Sequence, residues 1–152
     1  MNVEEFRKKI KPGLKLSADG KEFLVKEVIR FRFDDGTFYI KCILSDDYVF
    51  ADDANENMFL LVKEANTQFV EPFGTELKFD GKEFKFLFSA HAIADGVYGE
   101  KIFRKGYGES FWDFRAKDGS YLSLGKKDKT GERLDFYGKI VSNNSVEIHD
   151  AI

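Results

Sequence analysis

The feature that most constrains this chain is a change of hydrophobic period near residue 13. Before it, Val3, Phe6 and Ile10 recur at helical spacing, and Lys11-Pro12-Gly13 ends the pattern. After it, "LKLSADGKEFLVKEVIRFRFDDGTFYIKCILSDDYVFADD" alternates apolar and polar residues between turn signals at Asp19-Gly20, Asp34-Asp35-Gly36 and Ser45-Asp46-Asp47. A period of two marks strands with one buried face. Asp-Gly between such segments marks a tight hairpin, because glycine accepts positive φ without a Cβ clash. The sequence therefore predicts a mainly β protein of short antiparallel strands, opened by one short amphipathic helix within residues 1–12.

The pentapeptide Asp-Gly-Lys-Glu-Phe occurs twice, at Asp19–Phe23 and Asp80–Phe84, 61 residues apart. Gly13 and Leu16 meet Gly74 and Leu77 at the same separation. Further on, "FYIKCILSDDY" (38–48) meets "FWDFRAKDGSY" (111–121) at a separation of 73, and "KEANTQFVE" (63–71) meets "KIVSNNSVE" (139–147) at 76. Separations that grow in order fit two related units with insertions in the second. The reading is two tandem related antiparallel β units, residues 13–71 and 72–152, barrel-like or sandwich-like and packed as one globular body.

The core must be built largely from rings, since the 152 residues include 17 Phe, 6 Tyr and 1 Trp. Bulky rings favour strands. The formal charge of −3, with both signs interspersed, argues against nucleic acid as the partner. The single cysteine, Cys42, has no disulfide partner within the chain and lies in an apolar run, so it reads as a small buried hydrophobe. No apolar stretch reaches signal-peptide or membrane-span length, so the expected location is cytoplasmic, with no membrane span. Asn143-Asn144-Ser145 is then a turn rather than a glycan acceptor.

Motifs of established chemistry are missing from the sequence. His91 and His149 have no Cys or His neighbours at metal-ligand spacing, so no cofactor or metal is expected. His91 reads as a hydrogen-bonded strand residue and His149 as a solvated tail residue. The acidic run "SDDYVFADDANE" lacks the ligand order of a calcium loop, and is read as a hairpin turn followed by a helix start, with Asp52 or Asp53 as N-cap. "KKDKTGER" (126–133) reads as a charged hairpin tip.

The second unit carries the candidate site. Its insertion falls around "ADGVYGEKIFRKGYGES" (94–110), where the first unit has a short turn, and long loops on rigid strands tend to carry function. Tyr98, Lys101, Phe103, Arg104, Lys105 and Tyr107 interleave rings with cations, and Trp112, Asp113 and Arg115 follow. Such a surface could stack a planar ligand; the simpler expectation is rings laid over the sheet with cations in water. A second feature concerns the strand faces. Phe38, Ile40, Cys42 and Leu44 share a face in the first unit, whereas the matching positions of the second are Phe111, Asp113, Arg115 and Lys117. Either a one-residue slip turns the second strand over, or Asp113 and Arg115 point inward as a paired polar site.

The segments "GLKLSADGKEFLVKEVIRF", "FYIKCILSDDYVFADD" and "FWDFRAKDGSYLSL" resemble the bacterial domain of unknown function 4178 family. That resemblance implies a β-rich fold and carries no catalytic residues. The expected function is a binding or interaction module, more a binder than an enzyme. Its partner would be a protein or a small ligand held at Tyr98, Phe103, Arg104, Tyr107, Trp112, Asp113 and Arg115, and a homodimer through the same surface is a variant. The alternatives are a small hydrolase-like enzyme using Asp113, Arg115 and His91, and a single-stranded nucleic-acid binder with a local basic groove.

Overall fold

The computed structural model describes residues 1–150. Among them, helix α1 (Val3–Lys9) precedes eleven strands: β1 (Lys15–Ala18), β2 (Lys21–Phe33), β3 (Phe38–Leu44), β4 (Tyr48–Asp53), β5 (Met58–Glu64), β6 (Glu76–Phe79), β7 (Lys82–Gly99), β8 (Gly108–Ala116), β9 (Ser120–Lys127), β10 (Phe136–Val141) and β11 (Glu147–His149). They pair antiparallel in the order β11-β1-β2-β3-β4-β5-β10-β9-β8-β7-β6. A further antiparallel pairing, Glu27–Phe33 of β2 with Ala92–Gly99 of β7, closes the middle eight into a barrel. Closure pairs strand edges that would otherwise invite aggregation. The fold is thus a closed barrel and not a sandwich.

Two long strands make this possible. β2 pairs with β1 over Lys21–Leu24 and then enters the ring; β7 pairs with β6 over Lys82–Lys85 and then does the same. Both outer hairpins turn on the repeated Asp-Gly, with Asp19 at φ 52° and Gly20 at 76°, and Asp80 at 53° and Gly81 at 71°. Positive φ at both central residues defines the hairpin turn whose twist matches the flanking strands. At the seam between β5 and β10, Gly138 lies opposite Val62, and a Cβ there would run into the Leu61 carbonyl and Val62. The strands approach too closely for any other residue.

Strand alternation separates an inner from an outer face. On β3, Ile40, Cys42 and Leu44 point outward into a cluster with Phe50, Phe59 and Leu61, roofed by Val3 and Phe6 of α1 and by Leu16 and Ala18 of β1. The helix is capped by Asn2, whose side chain accepts from the Glu5 N–H at 2.8 Å. Arg7 pins it to the barrel, donating to Asp52 at 2.7 and 3.1 Å and to the Phe38 carbonyl at 2.8 Å. On the far side, Phe114, Leu122 and Leu124 point outward beneath Phe69, Phe73, Leu77 and Phe79. Cys42 is fully buried, and burial pushes its thiol pKa up.

Three expectations need correction. No helix starts after Asp53: Ala54–Asn57 is a turn, the Asp53 carboxylate accepts from the Glu56 N–H at 3.2 Å, and Asn57 (φ 48°) returns the chain directly into β5. The acidic side chain caps a turn with the same chemistry that would cap a helix, and hairpin pairing of Asp53 with Met58 decides the outcome. His149 lies in a strand, β11, where it pairs opposite Lys15, though its side chain is exposed. Finally, the segment 94–110, read as an inserted loop, is strand at both ends: 94–99 belong to β7 and 108–110 to β8, so only 100–107 is loop.

Candidate functional site

The inner face of the barrel is not uniformly apolar. Lys41 of β3 and Glu109 and Asp113 of β8 are 4–5% exposed and project into the lumen among Tyr39, Phe111, Tyr121 and Phe136. A cavity of about 790 Å³ occupies this space, within the roughly 300–1,000 Å³ span of small-molecule sites. Its rim is formed by the turn at Gly36-Thr37, the turn at Ala54–Glu56 and the bulge in β7 at Leu87-Phe88. Leu87 is 44% exposed and Phe88 36%, an apolar lip at the mouth.

Loop 100–107 forms a floor beneath these residues, with Phe103 and Tyr107 packed against the inner-face cluster of Ile29, Phe31 and Phe111. Buried Glu27 of β2 accepts from the backbone N–H groups of Ile102 and Phe103, the latter at 2.9 Å, and so draws the loop across the lumen. Phe103 then packs on Tyr107 with ring centroids 4.9 Å apart, and both stand edge-on to Phe31 at 6.0 and 6.2 Å. A carboxylate holding two backbone donors is a strong local anchor.

Above this floor the polar groups form two sets. Tyr121 donates its hydroxyl to Asp113 Oδ2 at 2.5 Å, and Ser123 donates to Oδ1 at 2.6 Å. Burial pushes the Asp113 carboxyl up to about 7; the two hydroxyl donors oppose that rise, and the nearby Glu109 and Asp53 carboxylates add to it. Tyr121 is raised as well, by burial first and then by Asp113. In the second set, Glu109 accepts from Tyr107 Oη at 3.0 Å and from Tyr39 Oη at a long 3.5 Å, and its Oε1 lies 3.9 Å from Lys41 Nζ. The ammonium sits over the Phe136 ring at 4.4 Å, with Phe103 at 5.2 Å and Phe31 at 5.5 Å.

The residues singled out from sequence are dispersed. Asp113 points inward, but its partners are Tyr121 and Ser123, not Arg115, which is exposed at the rim. Both readings of β8 therefore hold in part. The strand is turned over relative to β3, with Phe38 packed on the outer cluster and Phe111 on the inner one, and an acidic residue does face the lumen without a cationic partner. Phe103 and Tyr107 lie behind the lining residues, Phe103 under the Lys41 ammonium and Tyr107 bonded to Glu109. Trp112 lies on the outer face, half-buried and edge-on to Phe73 at 5.1 Å. Tyr98 is 59% exposed and Arg104 is exposed, both away from the cavity lining. His91 also lies apart: its Nδ1 meets Asp34 at 2.9 Å and its Nε2 meets Asp128 at 2.7 Å, and these two carboxylates raise its pKa.

Sequence reasoning missed Lys41, Glu109, Tyr39, Tyr121 and Ser123. One signal was available, since Lys41 interrupts "FYIKCIL" on the face that carries Tyr39 and Ile43. Among the described residues, no group of three or more His, Cys, Asp or Glu is placed to hold a metal, and no helix is long and apolar enough to cross a membrane. No protein-family model, curated protein or solved structure matches the chain.

Proposed function

We propose that this protein is a non-enzymatic barrel that binds a small, largely apolar molecule in its lumen. The observation that carries this is the cavity of about 790 Å³, open at one end, floored at the other and lined by rings around a few buried polar groups. Apolar walls with sparse, convergent polar groups are the usual composition of a ligand site. Catalysis is the weaker reading, because the groups it would recruit do not converge: Asp113 is engaged with two hydroxyls, Arg115 stands at the rim and His91 is held outside by Asp34 and Asp128.

The two-unit organisation is part of the same proposal. Matching Asp-Gly hairpins, β1-β2 and β6-β7, each precede three further barrel strands, with the short β11 after the second set, and the ring is completed where β2 meets β7 and β5 meets β10. Such an arrangement supports duplication of a five-strand unit, with the longer second copy supplying the floor. The resemblance to the domain of unknown function 4178 family stays a proposal resting on strand-and-turn patterns, and it adds no activity.

Titration with N-phenyl-1-naphthylamine, whose emission rises in apolar surroundings, tests the reading. Saturable enhancement is expected, and Ala51→Trp, which fills the lumen from β4, should abolish it while leaving the circular dichroism unchanged. Equal enhancement in that variant would move the probe, and the proposed site, out of the lumen.

A further inference from the structure

Lys41 is a buried cation with too few partners. Its side chain is 6% exposed, yet it donates no hydrogen bond among the described residues, and its nearest carboxylate oxygen is 3.9 Å away. An ammonium carries three donors, and ring faces satisfy charge without accepting a conventional hydrogen bond. Every fully buried side-chain nitrogen or oxygen among the described residues does have a partner. The Lys41 ammonium must therefore reach the open part of the lumen, whose lining it joins. A polar group left unsatisfied at such depth costs free energy unless something enters to meet it.

The surroundings restrict what can enter. An anionic headgroup would place a second negative charge beside Glu109, whose carboxylate already faces the ammonium at 3.9 Å. A cationic headgroup would meet ring faces already taken by Lys41 and would be repelled by its charge. A neutral oxygen acceptor adds no charge and supplies what the ammonium lacks, while the aromatic walls receive an apolar body. On the reading of the lumen as a ligand site, we propose that Lys41 is its anchor and that the ligand class is a neutral, mostly hydrocarbon molecule bearing a carbonyl-type oxygen.

Displacement of N-phenyl-1-naphthylamine by decan-2-one, decanoate and decylamine separates the possibilities, since the chains are matched and only the headgroup differs. The ketone should compete best against the wild-type protein. In Lys41→Met combined with Glu109→Gln, which removes both charges together, its affinity, read against that of the naphthylamine measured in the same variant, should fall about tenfold. An unchanged ketone affinity in the variant, or decanoate or decylamine as the strongest competitor of the wild type, would overturn the assignment. A variant-free measurement guards against misfolding: the infrared carbonyl stretch of bound decan-2-one should lie below its position in hexane, and a stretch at the hexane position would equally overturn it. If the naphthylamine fails to bind the wild-type protein, the lumen reading itself falls, and this inference with it.

Discussion

Burying Asp113 with only two hydroxyl donors gives its carboxyl a preference for the protonated form in the folded protein. Its pKa rises from an ordinary 3.8 to about 7, so between those values the folded state holds a proton that the unfolded state has released. Stability contributed by this group is therefore fully present below the unfolded pKa and declines as pH rises toward 7, levelling off above it. Asp113→Asn should flatten that decline in thermal melts taken from pH 4 to pH 8; an unaltered slope would show that the carboxyl ionises freely. His91 adds a second loss at higher pH. Its pKa is raised by Asp128 and Asp34, so its stabilisation is complete below about 6.5 and disappears as pH climbs through the folded value. In His91→Gln the melting temperature should fall less between pH 6 and pH 8 than in the parent. Asp113 was visible in the sequence because the face it shares with Phe111, Arg115 and Lys117 breaks the match to the apolar face of β3. Lys41 left only a weak signal, because a lysine in the middle of a strand ordinarily faces water, and only ring closure turns that face inward.

At the scale of elements, period two and Asp-Gly turns made most strands and both outer hairpins legible, because these are local properties of the chain. The amphipathic α1 was legible for the same reason. What escaped depends on distant partners: Ala54–Asn57 is a turn because Asp53 pairs with Met58, and loop 100–107 is a floor because Glu27 captures its backbone from another strand. Trp112 packs against Phe73 on the outer face of β8, whereas Arg104 and Lys105 project into solvent from the floor loop. Trp112→Ala should cost about 2–3 kcal/mol in denaturant unfolding, at or below the lower end for aromatic truncation because the ring is only half-buried. The double change Arg104→Ala with Lys105→Ala should leave stability within about 0.5 kcal/mol. A silent tryptophan variant would mean that the outer face of β8 is not packed as described.

For the molecule as a whole, the sequence left open whether the two halves form one core or two lobes, since nothing local in either half reports the β2–β7 and β5–β10 seams. Those seams run through both halves, and the lumen is lined from both: Lys41 of the first faces Glu109 of the second, and Tyr39 meets Phe111 at 6.0 Å. Neither half can keep its inner face dry alone, so unfolding should be a single cooperative event. Two native probes test this without mutation. The chain's only cysteine, Cys42, is buried in the outer cluster of the first half, and its only tryptophan, Trp112, lies on the outer face of the second. Guanidinium unfolding followed by Cys42 thiol accessibility and by Trp112 emission should give one midpoint. Separate midpoints would mean that the halves unfold independently, and a lumen whose walls part in stages could not hold the ammonium of Lys41 in a shared, enclosed site.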